Sequence, residues 1–363
     1  MSAERETQTD LLYSDIEDEL RGSVRGLLEA RASWDAVLQR TESDEPYDSK
    51  LWRTLAVEVG AAGLAVPEEL GGAGASFRES AVVLEELGRA VAPVPYLGSA
   101  VIATAALLSA GERELLGGLA GGSRTAALTV PFATPPDGSL PAVRVEGGAL
   151  TGSLRSVADA LTADVLLVPA DGGLYAVDAA DVRRTPVTSL DMTRQLCDLA
   201  LEAAPVREVA SDNGPVREAL MIGAALLASE QLGLAERCLE ITIGYLKTRH
   251  QFGRPVGSFQ GLKHRLAELW ISITQARAVA RHAAACAADG DPDLPVATAV
   301  AQAHCSTVAV RAAEECVQMH GGIGFTWEHP AHLFLKRAKA ASIALGTPDR
   351  HRAALADLVD LPG

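Results

Sequence analysis

YLKTRHQFGRPVGSFQ, residues 245–260, separates two long runs in which apolar residues recur at helical spacing. Gly253, Pro255 and Gly257 predict a break between two helices, because proline cannot continue a helical hydrogen-bond ladder and glycine permits left-handed backbone angles. The break concentrates cationic side chains, and the planar guanidinium of Arg249 has a donor geometry that suits a phosphate. From the residues alone, the stretch is either an anion-binding turn or an ordinary loop with a solvated basic face.

The composition permits a large apolar core. The chain has 363 residues, enough for two or three domains, and 48% of them are hydrophobic. Only 4% are aromatic, so alanine, leucine and valine must fill the core. The cysteines form no C-x-x-C pair, which predicts reduced thiols and neither a disulfide framework nor a zinc site. They are Cys197, Cys238, Cys286, Cys305 and Cys316.

The charge and the N-terminal sequence restrict the partners and the location of the chain. A formal net charge of −15 argues against nucleic acid and anionic membranes as partners. No uncharged apolar run approaches the roughly 20 residues of a membrane span. The first 20 residues are acidic and polar, unlike a secretory signal, so we expect a cytoplasmic protein whose residues 1–8 are disordered.

Periodicity divides the chain into three predicted domains: helical residues 1–120, a β domain at 121–210 and a helical bundle at 211–363. In the first, the glycine-rich loop at 71–74 is not a phosphate loop, since no Lys-Ser/Thr follows it. In the second, short strands around Gly147-Gly148 and Asp171-Gly172-Gly173 predict tight hairpins within a small barrel or sandwich. In the third, four helical runs predict a four-helix bundle, at 216–249, 259–288, 295–320 and 330–345.

Three segments, in order, resemble the acyl-CoA dehydrogenase family. RHQFGRPVGSFQ resembles its R-x-x-F-G-x-P-(x)n-F-Q segment, and Gln318 with HGGIGF at 320–325 is similar to its Q-x-x-G-G-x-G-(F/Y) segment. Trp52 to Glu86 looks like its N-terminal domain. The resemblance implies an α fold with a β middle domain: an N-terminal helical domain, a small β-barrel and a C-terminal four-helix bundle.

The resemblance further implies FAD-dependent α,β-dehydrogenation of an acyl-CoA thioester. By the motif match, five residues would hold the FAD of a neighbouring subunit, because the family's flavin lies between subunits. They are Arg249, Phe252, Gln260, Gln318 and Gly322. For Phe252 and Gln260, packing within the helical turn remains the alternative.

The residues that the family places around the flavin ring and the substrate differ here. Ser156 stands where the family has a flavin-stacking Trp, and Ala158 where it has a Thr that donates to the flavin. Leu345 and Gly223 occupy the two positions at which family members carry the Glu that removes the α-proton. The resemblance therefore implies no catalytic residue in this chain.

Three functional hypotheses follow. The first is the non-catalytic subunit of an α2β2 acyl-CoA dehydrogenase, a class known to act on steroid side-chain CoA thioesters. The second is a self-sufficient homotetramer with a displaced base, Glu218 or Glu230, although solvated helix carboxylates are the alternative for both. The third is a flavin-free binding or scaffold protein that keeps only the fold.

Overall fold

The computed structural model describes residues 11–361, except Asp44 and Pro46. The expected disorder of residues 1–8 lies outside this range. Helices α1 and α4 begin at capping boxes, in which Ser14 and Ser76 exchange hydrogen bonds with Glu17 and Glu79. Six α-helices precede the first described strand: α1 (Asp15–Arg31), α2 (Trp34–Thr41), α3 (Ser49–Arg53), α4 (Phe77–Ala90), α5 (Thr104–Ser109) and α6 (Arg113–Ala120).

Two four-stranded sheets form the middle of the chain, in the orders β1-β4-β5-β8 and β2-β3-β7-β6. Both predicted hairpin turns are confirmed, since Gly147, Gly148, Asp171 and Gly172 all have positive φ. The strands are β1 (Ala126–Leu128), β2 (Arg144–Glu146), β3 (Ala149–Ala158), β4 (Val165–Ala170), β5 (Gly173–Asp178), β6 (Arg183–Val187), β7 (Leu196–Pro205) and β8 (Arg207–Ala210).

The expected closed barrel is replaced by this pair of sheets. Strands of both sheets bury side chains in one common apolar cluster, as a sandwich does. Edge strands β1 and β2 each pair over three residues on one side only. Within the described residues, no ladder of hydrogen bonds joins the two sheets, so the edges stay open.

The C-terminal part is a helical bundle around α7, which packs against α4, α5, α8, α9 and α10. Its fourth predicted run, 330–345, contains one helix and ends at a turn in which Leu345 and Gly346 both have positive φ, and a further helix that was not predicted follows. The elements are α7 (Gly214–Thr248), β9 (His250–Gln251), β10 (Arg254–Pro255), α8 (Gln260–Asp289), α9 (Leu294–His320), α10 (Ala331–Ala341) and α11 (Pro348–Leu358).

Two glycines allow α4 and α7 to touch backbone to backbone. A Cβ on Gly88 would lie 2.0 Å from the carbonyl oxygen of Glu230, and one on Gly233 would lie 1.8 Å from that of Glu85. The N-terminal helices and the bundle consequently share one apolar core. The proposed domain boundaries fall between α6 and β1 and between β8 and α7, and this division remains a prediction.

Helix α7 is long and apolar enough to cross a membrane by length and composition alone. However, 89% of its most apolar window is buried inside the protein. A helix covered by its neighbours in this way has the properties of a core helix.

Candidate functional site

The turn after α7 is a short hairpin that projects from the bundle. Strands β9 and β10 pair across Phe252 and Gly253, whose φ values are +53° and +75°. The predicted break between two helices is confirmed, since α7 ends at Thr248 and α8 begins at Gln260. Positive φ at a bulky residue is strained, and it leaves the Phe252 ring 86% exposed.

Three of the five predicted nucleotide-binding residues line one open groove of about 510 Å³ between this turn and the end of α9. Arg249, Gln318 and Gly322 are exposed on its walls. Within the described part of the chain, the Arg249 side chain takes part in no ion pair. A free guanidinium on an open groove is a group that an anion can bind.

Phe252 and Gln260 do not line this groove. The Phe252 ring packs edge-to-face against Phe259, with 6.0 Å between ring centroids. Gln260 is exposed at the start of α8, and its Nε2 lies 3.4 Å from Nε2 of His264. Their assignment to a cofactor remains a prediction that depends on a partner reaching this surface.

The groove lies in the most basic part of an acidic chain. Between Glu240 and Glu268 there are five Lys or Arg residues and no carboxylate. Among the other residues that line the groove, none of them predicted to bind the nucleotide, are Tyr245, Arg265 and His320. His320 could have been noticed, because it lies within the glycine-rich motif itself.

The second feature is a nearly filled cavity where the sheets, the helical segment Tyr96–Ala103 that precedes α5, and the bundle meet. Its volume is about 20 Å³, far below the several hundred Å³ of a ligand pocket. The walls are mainly apolar and are contributed by Gly98, Ile102, Leu128, Val130, Phe132, Ala158, Asp159, Leu220 and Leu345.

The two positions at which a base is expected lie against each other beside this cavity. A Cβ on Gly223 would be 2.6 Å from Cγ1 of Ile102 and 3.4 Å from Cδ1 of Leu345. Leu345 is 1% exposed, and its N–H donates to the carbonyl of Phe132 at 2.8 Å. Apolar side chains therefore occupy the space into which a carboxylate from either position would project.

The two positions on β3 at which the family has Trp and Thr, Ser156 and Ala158, have different surroundings. Ala158 lines the cavity, whereas Ser156 does not. Ser156 lies at an irregularity in the β3–β7 pairing with φ +53°, and its N–H donates to Oδ1 of Asp198 at 2.9 Å. Asp159 is the cavity's ionisable wall residue, and burial raises the pKa of its carboxyl group.

Neither alternative base has the properties of a general base. Glu230 is 1% exposed, and Arg194 and Arg337 bind it at 2.7 and 2.9 Å. Burial raises the pKa of Glu230, but the two guanidiniums outweigh burial and lower it to about 2. Glu218 is exposed at the start of α7, where it accepts a hydrogen bond from Ser109 at 2.5 Å.

All five cysteines are free thiols and are buried. No cluster of three or more His, Cys, Asp or Glu side chains with metal-binding geometry occurs in the described residues.

Two family models match the sequence. The acyl-CoA dehydrogenase C-terminal domain matches residues 215–359, and the N-terminal domain of the same family matches residues 14–116. The acyl-CoA dehydrogenase IpdE2 of Mycolicibacterium smegmatis is 39% identical over 330 residues, which cover 91% of this chain and 94% of that protein.

Solved structures of the family superpose on almost the whole chain. One is the ChsE4-ChsE5 complex from Mycobacterium tuberculosis, with a TM-score of 0.88 and 29% identity over 98% of this chain and 100% of that one. Another is a Tcur3481-Tcur3483 steroid ACAD, with a TM-score of 0.85 and 31% identity over 95% and 98% of the two chains.

Proposed function

The chain belongs to the acyl-CoA dehydrogenase family, and on this premise we propose that it is the non-catalytic subunit of a heteromeric acyl-CoA dehydrogenase. One observation carries the proposal: the nucleotide groove is open and cationic, whereas the cavity at the expected flavin and substrate positions has a volume of about 20 Å³. The chain would contribute the residues of one half of an FAD site, and it would contribute no residue that transfers a proton.

The donor set of the groove fits the nucleotide part of FAD. The Arg249 guanidinium supplies charge for a phosphate, and Gln318 and the Gly322 backbone supply neutral hydrogen-bonding groups. When bound, FAD would accept the hydride from the acyl-CoA in the partner's part of the site. The residues of this chain would bind and orient the nucleotide end.

Exposed apolar side chains next to the groove support a partner subunit. Trp270 and Ile271 on α8 are 58% and 52% exposed, and Phe325 and Trp327 beyond the glycine motif are 76% and 55% exposed. Large apolar side chains exposed on α8 and on the segment after α9, both of which contribute residues to the groove, are typical of a protein interface. The similarity to the ChsE4-ChsE5 complex supports a homologous dehydrogenase subunit as the partner, in an α2β2 assembly.

The proposed reaction is α,β-desaturation of an acyl-CoA thioester by the assembled enzyme in the cytoplasm. The similarity to a steroid ACAD supports a steroid side-chain CoA as the substrate class. A self-sufficient homotetramer is disfavoured because Glu230 is neutralised by two arginines and Glu218 is at the protein surface. The flavin-free scaffold is the remaining alternative.

The colour of the purified protein tests the proposal. We expect the chain to be colourless when expressed alone and yellow when co-expressed with a homologous subunit that carries the catalytic Glu. Absorbance at the flavin bands measures the bound flavin, and size-exclusion chromatography measures assembly with the partner subunit. A yellow chain in isolation would establish the homotetramer, and a chain that stays colourless in both preparations would establish the scaffold.

A mutation of Arg249 tests the groove. We expect Arg249→Ala to weaken FAD retention in the assembled enzyme by roughly 10–150-fold, since a hydrogen bond to a charged group contributes about 1.5–3 kcal/mol. Arg254→Ala is the matched control, because Arg254 stacks on Phe259 at 3.9 Å and does not line the groove. Equal FAD dissociation constants for the two variants, measured by fluorescence on dilution, would contradict the assignment.

A further inference from the structure

His320 occupies the wall of the nucleotide groove between Gln318 and Gly322. It is the last residue of α9 and only 3% exposed. Its ring is stacked between Tyr245 and His329, with centroid distances of 4.5 and 4.1 Å. The position of the imidazole is thus set from both sides by packed rings.

The two ring nitrogens of His320 have different surroundings. Nδ1 lies 2.6 Å from the carbonyl oxygen of Cys316 and must donate a proton to it, since a carbonyl can only accept. Nε2 is buried and has no hydrogen-bond partner in the described residues. A buried polar atom without a partner is rare in a folded protein, and on the wall of a ligand groove it indicates a missing ligand contact.

The surroundings of His320 favour its cationic form. The C-terminus of a helix carries partial negative charge, which stabilises a cation there. Burial lowers the pKa of His320, but hydrogen bonds to the side chain and the carbonyl of Cys316, together with the negative charge of the Cys316 thiolate, outweigh burial and raise it above its ordinary value. Hydrogen bonds with Cys238 and His320 in turn lower the pKa of Cys316 to about 5. The neighbouring His329 stays neutral, because burial and His320 lower its pKa to about 4.

Other charged or titratable groups around the imidazole lie on several elements. Cys238, Tyr245 and Arg249 belong to α7 or its end, Arg265 to α8, and Glu315 and Cys316 to α9. Arg265 and Glu315 are paired at 2.7 Å, so they cancel each other. The cationic groups left on the groove wall are Arg249 and His320, and the Cys316 side chain lies behind the imidazole and not on the wall.

We propose that His320 is a second cationic contact for the FAD diphosphate, with its Nε2–H donating to a phosphate oxygen beside Arg249. The inference rests on the proposed function, since it assigns one more residue to the same nucleotide site. It predicts a pH-dependent affinity, because the contact is complete while His320 is protonated and is lost as the pH rises through its pKa.

FAD is a suitable probe, because its diphosphate ester keeps the same charge between about pH 6 and about pH 8.5, the range in which a histidine titrates. The assembled complex of this chain with its homologous partner subunit is stripped of flavin and equilibrated with FAD by dialysis at both pH values. We expect wild type to bind roughly tenfold more tightly at the lower pH. An affinity of the wild-type complex that is the same at both pH values would overturn the inference, and a wild-type complex that binds no FAD would overturn the proposed function as well.

Two substitutions of His320 distinguish the effect of its charge on FAD binding from the effect of its shape. His320→Gln keeps an uncharged donor near the place of Nε2, and His320→Asn keeps a donor near the place of Nδ1. Both variants should bind FAD with the affinity of wild type at the higher pH. At the lower pH, neither should show the roughly tenfold increase in affinity that is expected for wild type. His250→Gln is the matched control, since His250 is exposed beside Arg249 and does not line the groove.

The variants also separate this inference from the proposed function. If Arg249→Ala binds FAD as wild type does at both pH values, the groove itself is misassigned. If Arg249→Ala weakens binding but both His320 variants keep the pH dependence of wild type, the groove stands and the His320 contact is wrong. Circular dichroism and thermal unfolding establish that each variant is folded before binding is compared.

Discussion

Leu345→Glu is expected to yield a chain without dehydrogenase activity and with a free energy of unfolding lowered by about 3–5 kcal/mol, the cost of keeping a buried carboxyl group protonated at neutral pH at about 1.36 kcal/mol per pKa unit. The new carboxylate would enter a cavity of about 20 Å³ whose other ionisable wall residue is Asp159. Burial and this second carboxyl group would raise the pKa of the new Glu, so that it would be protonated at neutral pH and unable to act as a base. Geometry also forbids the reaction, because no space remains for a thioester.

Restoring the other family residues is expected to fail as well. Ser156→Trp places a large residue where φ is +53°, a conformation that bulky side chains avoid. Ala158→Thr adds atoms to the wall of the same small cavity. From the motifs alone, the triple variant with Leu345→Glu, Ser156→Trp and Ala158→Thr would be the smallest set of changes able to hold a flavin. The structure shows that a flavin also needs space, and the side chains of Ile102 and Phe132 fill that space.

Flavin absorbance, acyl-CoA-dependent bleaching and thermal unfolding measure these outcomes for the single and triple variants. Leu345→Met is the matched control, because an apolar exchange of similar volume should cost less than about 1.5 kcal/mol. A yellow protein that bleaches with acyl-CoA after Leu345→Glu alone would mean that the flavin end was intact, and the assignment of Ser156 and Ala158 would be wrong.

The parts of the fold that were predictable are those that local chemistry determines. Gly147-Gly148 specifies a tight hairpin because both residues need positive φ, and the two residues do form that turn. Gly253 and Pro255 end one helix and separate it from the next for similarly local reasons. The grouping of Arg249, Gln318 and Gly322 needed the family motifs, since 69 residues separate Arg249 from Gln318.

The filling of the cavity could not be predicted, because it depends on contacts between distant segments. Ile102 and Phe132 are ordinary apolar residues in the sequence, and only the packing of the segment Tyr96–Ala103 and of the β1–β2 connection brings them beside Leu345. The choice between a barrel and a sandwich stayed open for a related reason: alternation identifies strands, but it does not tell whether the last strand pairs with the first. The salt bridges of Glu230 involve partners 36 and 107 residues away.

Glu230→Ala is expected to lower the free energy of unfolding by about 3–5 kcal/mol, because it leaves Arg194 and Arg337 buried without their counter-charge. Arg337 is 2% exposed, and Asp191 would be its remaining anionic partner, at 3.1 Å. Urea denaturation measures the change as a lower midpoint with an unchanged slope. Glu218→Ala is the control on the same helix, and it should cost no more than about 1 kcal/mol at an exposed position.

The pH dependence of this effect has a definite sign. The folded-state pKa of Glu230 is about 2, below the ordinary value of about 4.3 for an unfolded chain. Its ion pairs therefore stabilise the fold fully above about pH 4, and that stabilisation is lost as the pH falls towards 2. The difference between wild type and Glu230→Ala should be constant near neutrality and should shrink in acid.

The same residue distinguishes the structural hypothesis from the catalytic one, since the two predict opposite outcomes for Glu230→Gln. If Glu230 were a displaced base, the Gln variant would fold with nearly normal stability and abolish turnover, because an amide cannot remove a proton. As a structural anion held by two arginines, it should instead lose stability while each correctly assembled enzyme keeps its turnover number. Turnover per bound flavin and the unfolding midpoint, measured together, distinguish these outcomes. Dividing by bound flavin counts only assembled enzyme, so a loss of assembly is not mistaken for a loss of catalysis.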